Sequence, residues 1–199
     1  MVNETTFQEF LVAIDVGDDA KTEELSLQID SSLESELIQL AIRGELDQRW
    51  WAVRTLAHCG KADSIESLIL SLTDPDSELR ATTALALGHL HQRVPAAITP
   101  HLELLVARLA DEDGFVRQSA ADALSMCGDD AVDVLAKAMQ SNHDGVRSRA
   151  AYALHKIATM RTAPILFQHL NDPNYLVRSH AYEALDELGL LDNVLVTFI

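Results

Sequence analysis

Imidazoles, thiols and indoles are the side chains here with chemistry to offer, and their spacing decides what that chemistry can be. His58 and His89 stand at matching places in two similar phrases, "RTLAHCG" and "LALGHLH". On neighbouring helices they would lie roughly 8 to 10 Å apart between axes, and could share a metal only with a third ligand between them. Two solvated surface histidines, and no metal, are therefore expected. Cys59 and Cys127 lack the paired spacing of a zinc site and cannot make a disulfide framework, so both are expected to be reduced. No nucleophile elbow, phosphate loop, zinc-protease motif or triad occurs, so no catalytic residue is assigned. The 199 residues carry 31 acidic against 15 basic groups, a formal charge of -16. That sign is wrong for neutralising phosphates or approaching an anionic membrane. The chain has no apolar run of spanning length, and its first ten residues lack a leader's positive-then-apolar pattern. These features predict a cytoplasmic protein that binds neither nucleic acid nor membrane and carries no cofactor.

The elements that must position these groups are repeats. "DPDSELRATTALALGHL", "DEDGFVRQSAADALSMCG", "HDGVRSRAAYALHKIA" and "DPNYLVRSHAYEALDELG" are versions of one phrase, and "GELDQRWWAVRTLAHCG" is a looser one. Aligned on Arg49, Arg80, Arg117, Arg147 and Arg178, they are spaced by 31, 37, 30 and 31 residues by subtraction. The period suits a two-helix repeat, with the extra residues of the long spacing placed in "HQRVPAAITP". The third, sixth, seventh and tenth residues after each Arg form one helical stripe of Ala, Thr, Leu and Cys. Its small members let neighbouring helices approach closely, and both cysteines read as core residues. Gly60, Gly128 and Gly189 read as helix stops. Thr6 with Glu9, and Ser31 with Glu34, are spaced as capping boxes.

The boundaries expected are a helical cap over 1–30, five repeats over 31–190 (about 31–60, 61–92, 93–128, 129–159 and 160–190), and a C-terminal capping segment over 191–199. The apolar "VLVTFI" of that segment is expected to fold back over the last repeat, leaving a monomer.

The pattern "DPxxxVRxxAxxAL", seen from Asp172 to Leu185 and with substitutions from Asp74 to Leu87, resembles the HEAT-like repeats named after phycobilisome lyases. The resemblance covers roughly residues 31 to 190. It implies an all-α fold, a right-handed α-α superhelix in which each repeat's Arg pairs with a turn Asp, often of a neighbouring repeat. Asp74, Asp111 and Asp172 each precede an Arg by six residues. In repeat four Ser141 takes that place with Asp144 nearer, and in repeat one Arg43 takes it, with Asp47 two residues before Arg49. The superfamily holds scaffolds, phycobilin lyase subunits, a di-iron hydroxylase and DNA glycosylases. The hydroxylase uses His-Glu pairs, and none of the eight histidines is followed by Glu. The glycosylases need a positive concave face, which the acid excess opposes.

In this architecture the opposite face of each second helix usually lines the concave surface. It carries Trp50, Trp51, Arg54 and His58, then His89, then Asp122, then Arg149, Tyr152 and His155, and finally His180, Glu183 and Glu187. The function expected is a non-catalytic scaffold that binds a protein partner through that face, with Trp50 and Trp51 as an aromatic anchor. The alternative implied by the resemblance is a subunit of a phycobilin lyase or a tetrapyrrole chaperone. In that case Trp50, Trp51 and Arg54 would stack on and pair with a tetrapyrrole bearing propionates; the alternative is that a Trp pair at the first full repeat simply packs under the N-terminal helices.

Overall fold

A computed structural model of the chain describes residues 2–191, and among these all regular secondary structure is helical. Among the described residues thirteen α-helices follow one another as five pairs and one group of three. They are α1 (Val2–Asp15) and α2 (Asp19–Ser26); α3 (Glu34–Arg43) and α4 (Leu46–Cys59); α5 (Ile65–Ser71) and α6 (Ser77–His91); α7 (Pro95–Ile98), α8 (Leu102–Arg108) and α9 (Gly114–Met126); α10 (Val132–Ala138) and α11 (Asp144–Ile157); and α12 (Ala163–Gln168) and α13 (Tyr175–Glu187). Among the described residues, those up to 100 form one compact unit and those from 101 onward another. In the first, α4 packs beside α6, and α1 and α2 lie against α4; in the second, α11 packs between α9 and α13. Each unit is a stack of helical hairpins, the arrangement of an α-solenoid. Among the described residues no helix is long and apolar enough to cross a membrane. The C-terminal fold-back concerns residues 192–199, outside the described residues.

The small-residue stripe is the core. Ala52, Thr83, Ala120, Ala150 and Ala181 are fully buried, as are Leu56, Leu124, Leu154 and Leu185 at the seventh position. Side chains this small bring neighbouring second helices close, and each buried Leu contributes about 1.5–3 kcal/mol of transfer free energy. Buried Thr55 and Thr83 satisfy their hydroxyls on the carbonyls of Trp51 and Leu79, one turn back.

The helix ends differ from the sequence expectation in instructive ways. α1 begins at Val2, so Thr6 lies inside it and heads no capping box. Asp30, not Ser31, caps the turn before α3 by accepting from the Ser32 N–H at 2.8 Å. Glu34 is buried and serves the next repeat, accepting from the Lys61 and Ser64 N–H groups at 2.7 and 3.2 Å. Gly128 and Gly189 take left-handed conformations at φ +56° and +67°, while α11 ends without glycine, on Ala158 at φ 42°.

The ladder runs in a sense that spacing alone does not reveal. Four of the five ladder Arg residues, Arg80, Arg117, Arg147 and Arg178, donate to backbone carbonyls of their own turn. Arg80 reaches those of Asp74 and Pro75, Arg117 those of Asp111 and Glu112, and Arg178 those of Asp172 and Pro173, all at 2.7–3.0 Å. At two turns, those of Asp74 and Asp172, the carboxylate instead receives the Arg of the preceding repeat. Arg49 pairs with Asp74, and Arg147 grips Asp172 with Nε and Nη2 at 2.9 and 3.1 Å. Repeats one and four, which lack an Asp six residues before their own Arg, therefore carry full rungs. A carbonyl acceptor needs no particular side chain, and Arg147 uses that of Ser141 at 2.8 Å.

Candidate functional site

Apart from His58 and His89, the residues expected on the second-helix face gather into one cluster in each unit. In the first unit, Trp51 is buried at 8 % exposure and meets the half-buried Trp50 edge-on, with ring centroids 4.9 Å apart. Arg54 stands over both indoles, its Cζ 5.5 Å from one ring centroid and 5.8 Å from the other. Its Nε and Nη2 also donate to the two carboxylate oxygens of Glu23 in α2, each at 2.8 Å. That bidentate pair holds the Glu23 carboxyl below the usual carboxylate range.

The indoles line a cleft of about 580 Å³ together with Asp19, Glu23, Asp47, Asp76 and Glu78. Five carboxylates and one guanidinium therefore line the cleft, and Glu23 already engages the guanidinium. Among the described residues, the group of three close ligand atoms found includes no histidine of the first unit. His58 places Nε2 2.9 Å from the Ser26 carbonyl, to which it donates, and His89 is exposed. The thiols are poor nucleophiles: burial, with Glu34 nearby, pushes Cys59 up to about 11, and burial pushes Cys127 up to about 12.

The second unit brings together Asp122, Arg149, Tyr152, His155 and Glu183, which sequence assigned to one face of different repeats. Asp122 of α9 accepts from Tyr152 Oη at 2.7 Å and from Gln118 Nε2 at 3.1 Å, and Gln118 in turn accepts from Arg149 at 2.6 Å. Burial, then the bond to Asp122, raises the Tyr152 hydroxyl above its ordinary value. Next to this network, Tyr152 packs edge-on against His180, and the His155 and His180 rings lie 5.6 Å apart. His155 Nδ1 is 3.3 Å from His180 Nδ1, and Glu183 Oε2 is 3.5 Å from the first and 3.8 Å from the second. Burial, reinforced by the charges of His155 and Arg149 against that of Glu183, holds His180 below the ordinary imidazole value. The spacing places these groups on one surface without joining them, because the residues that meet stand at unequal offsets in successive repeats.

A family model for HEAT repeats matches residues 34–125, 99–155 and 132–194. Among solved structures the chain is similar to the E. coli protein YibA, with 19% identity, 95% of this chain and 73% of that chain covered, and a TM-score of 0.62. It is also similar to an engineered protein solved as a structural-genomics target, with 24% identity, 89% and 83% covered, and a TM-score of 0.50. These likenesses concern the fold alone. No curated protein matches the chain. The repeated Arg, the buried small-residue stripe, the paired helices and the three matched segments together establish that the chain belongs to the HEAT-repeat family.

Proposed function

We propose that this HEAT-repeat chain is a non-catalytic scaffold that binds a protein partner, and that a basic segment of the partner enters the Trp50 cleft of the first unit. The observation that carries this reading is the composition of the cleft, whose lining holds two indoles and Asp19, Glu23, Asp47, Asp76 and Glu78 against a single Arg54. A Lys or Arg side chain gains from both parts, because an aromatic face attracts a cation and a carboxylate rim completes its hydrogen bonds. Arg54 already takes this pose from within the chain, over the indoles and against Glu23. The formal charge of -16 adds long-range attraction for a basic partner.

The reading as a phycobilin lyase subunit or tetrapyrrole chaperone asks for the opposite electrostatics. Propionates need cations, and the one guanidinium at the indoles is bound by Glu23. The two readings separate in a titration. By isothermal calorimetry, a Lys/Arg-rich peptide is expected to bind the full chain in a saturable 1:1 complex. Its affinity should fall several-fold between about 0.05 and 0.2 M salt, as exposed charges are screened. An Asp/Glu-rich peptide of equal length is expected to give no binding heat. No binding of the basic peptide, or equal binding of both, overturns the proposal; a tetrapyrrole absorbance shift in place of peptide binding favours the lyase reading.

A further inference from the structure

We infer that His155, His180 and Glu183 form a binding site for a divalent transition-metal ion of the zinc class, clamping α11 to α13 in the second unit. Among the described residues, this is the group whose three ligand atoms all lie within 4.8 Å of one another. The edges of the triangle are 3.3 Å between the two Nδ1 atoms, 3.5 Å from His155 Nδ1 to Glu183 Oε2, and 3.8 Å from His180 Nδ1 to the same oxygen. Ligands bound at 2.0–2.1 Å around a tetrahedral ion stand about 3.4 Å apart. The triangle therefore needs only a few tenths of an ångström of adjustment, within the reach of small side-chain torsions.

The outer contacts support the same assignment. His155 Nε2 lies 3.2 Å from Glu187 Oε1, so its N–H donates to a carboxylate and its Nδ1 lone pair faces the cluster. A carboxylate behind a ligating imidazole fixes the ring and its tautomer, which is the usual second layer of a zinc centre. His180 and Glu183 sit three residues apart on one face of α13, and fully buried Ala181 and Ala184 on the same helix anchor it in the core. Two imidazoles and a carboxylate favour zinc or its late first-row neighbours over calcium and magnesium, which take oxygen ligands. Glu183 is half exposed, which leaves a fourth position open to water or to a group from a partner.

The test uses the full chain, stripped with chelator and titrated with Zn²⁺, Co²⁺ and Mg²⁺. One zinc per chain is expected to bind with a Kd below about 100 µM, raising the thermal midpoint by mass action, with no response to Mg²⁺. Co²⁺ is expected to give the visible absorption of a four-coordinate nitrogen-oxygen site. Glu183→Gln, at an exposed position that leaves the fold intact, is expected to weaken zinc at least tenfold. His180→Ala is expected to abolish the cobalt band, and His89→Ala to change nothing. Absence of a single zinc site, or zinc binding that His180→Ala and Glu183→Gln leave unchanged, overturns the inference.

Discussion

Arg147→Ala is expected to destabilise the chain by about 3–5 kcal/mol in urea unfolding, a larger loss than at the other ladder positions. Arg147 and Asp172 keep only 11% and 6% of their side-chain surface exposed. The guanidinium satisfies both Asp172 oxygens, Asp144 Oδ1 at 2.8 Å and the Ser141 carbonyl. Truncation strands a buried carboxylate, which costs much more than losing a hydrogen bond between neutral groups. Arg117→Ala supplies the contrast, at about 1 kcal/mol. Arg117 makes its two bonds to carbonyls of its own turn, and the following turn offers Ser141 where other repeats have Asp.

The pH dependence gives a second readout of the same rung. Burial pushes the Asp172 carboxyl up, but hydrogen bonds from Arg147 and from the Asn174 N–H, with the Arg147 charge, outweigh it and hold the group below its ordinary value. A carboxyl lowered in the folded state stabilises above its unfolded pKa, and that stability is lost as the pH falls through the folded value. In Arg147→Ala burial is less opposed and protonation relieves it. The stability gap between the two proteins is therefore expected to narrow below about pH 4. A gap constant from pH 7 to pH 3 would show that Asp172 does not respond to Arg147.

Trp50→Ala is expected to weaken binding of the basic peptide about thirtyfold, equivalent to about 2 kcal/mol, as for an aromatic residue at the centre of an interface. Trp50 is the informative position because it is half-buried and lines the cleft, whereas truncating Trp51 would open a cavity in the core. The thermal midpoint of Trp50→Ala should stay within a few degrees of the parent. A variant that keeps its midpoint and binds the peptide as tightly as the parent would remove Trp50 from the recognition surface.

The fold was legible in the sequence wherever a side chain's role depends on its own helix. The positions three, six and seven residues after each Arg are buried as their spacing predicts, because helical periodicity alone selects that face. Capping was less legible. Glu34 has the spacing of a local cap and instead accepts N–H groups near residue 61, in a turn that only the hairpin brings close. The ladder Arg residues were recognisable, but the turn carboxylates that receive Arg49 and Arg147 lie 25 residues ahead, across the stack.

The same limitation hid the two clusters. Residues at equal offsets in successive repeats, such as His58 and His89, invite comparison, yet His155 at offset eight meets His180 and Glu183 at offsets two and five. That step of three or more residues corresponds to roughly 4.5 Å or more along the helix axis, a slip fixed by how α11 and α13 pack. The Trp pair was visible at once. Its environment was not, because Asp19 and Glu23 reach it from α2, outside the repeated pattern.

Proton–nitrogen NMR of the indole N–H groups during titration with the Lys/Arg-rich peptide reads recognition at the Trp50 cleft directly. The chain contains two tryptophans, Trp50 and Trp51, so the spectrum holds two indole signals, assigned by substituting one residue. The proposed function predicts that the Trp50 signal shifts saturably, in step with the calorimetric binding curve, and that the acidic peptide leaves both signals in place. Peptide binding that moves neither indole, or the same shift with the acidic peptide, would contradict recognition of a basic partner at this cleft.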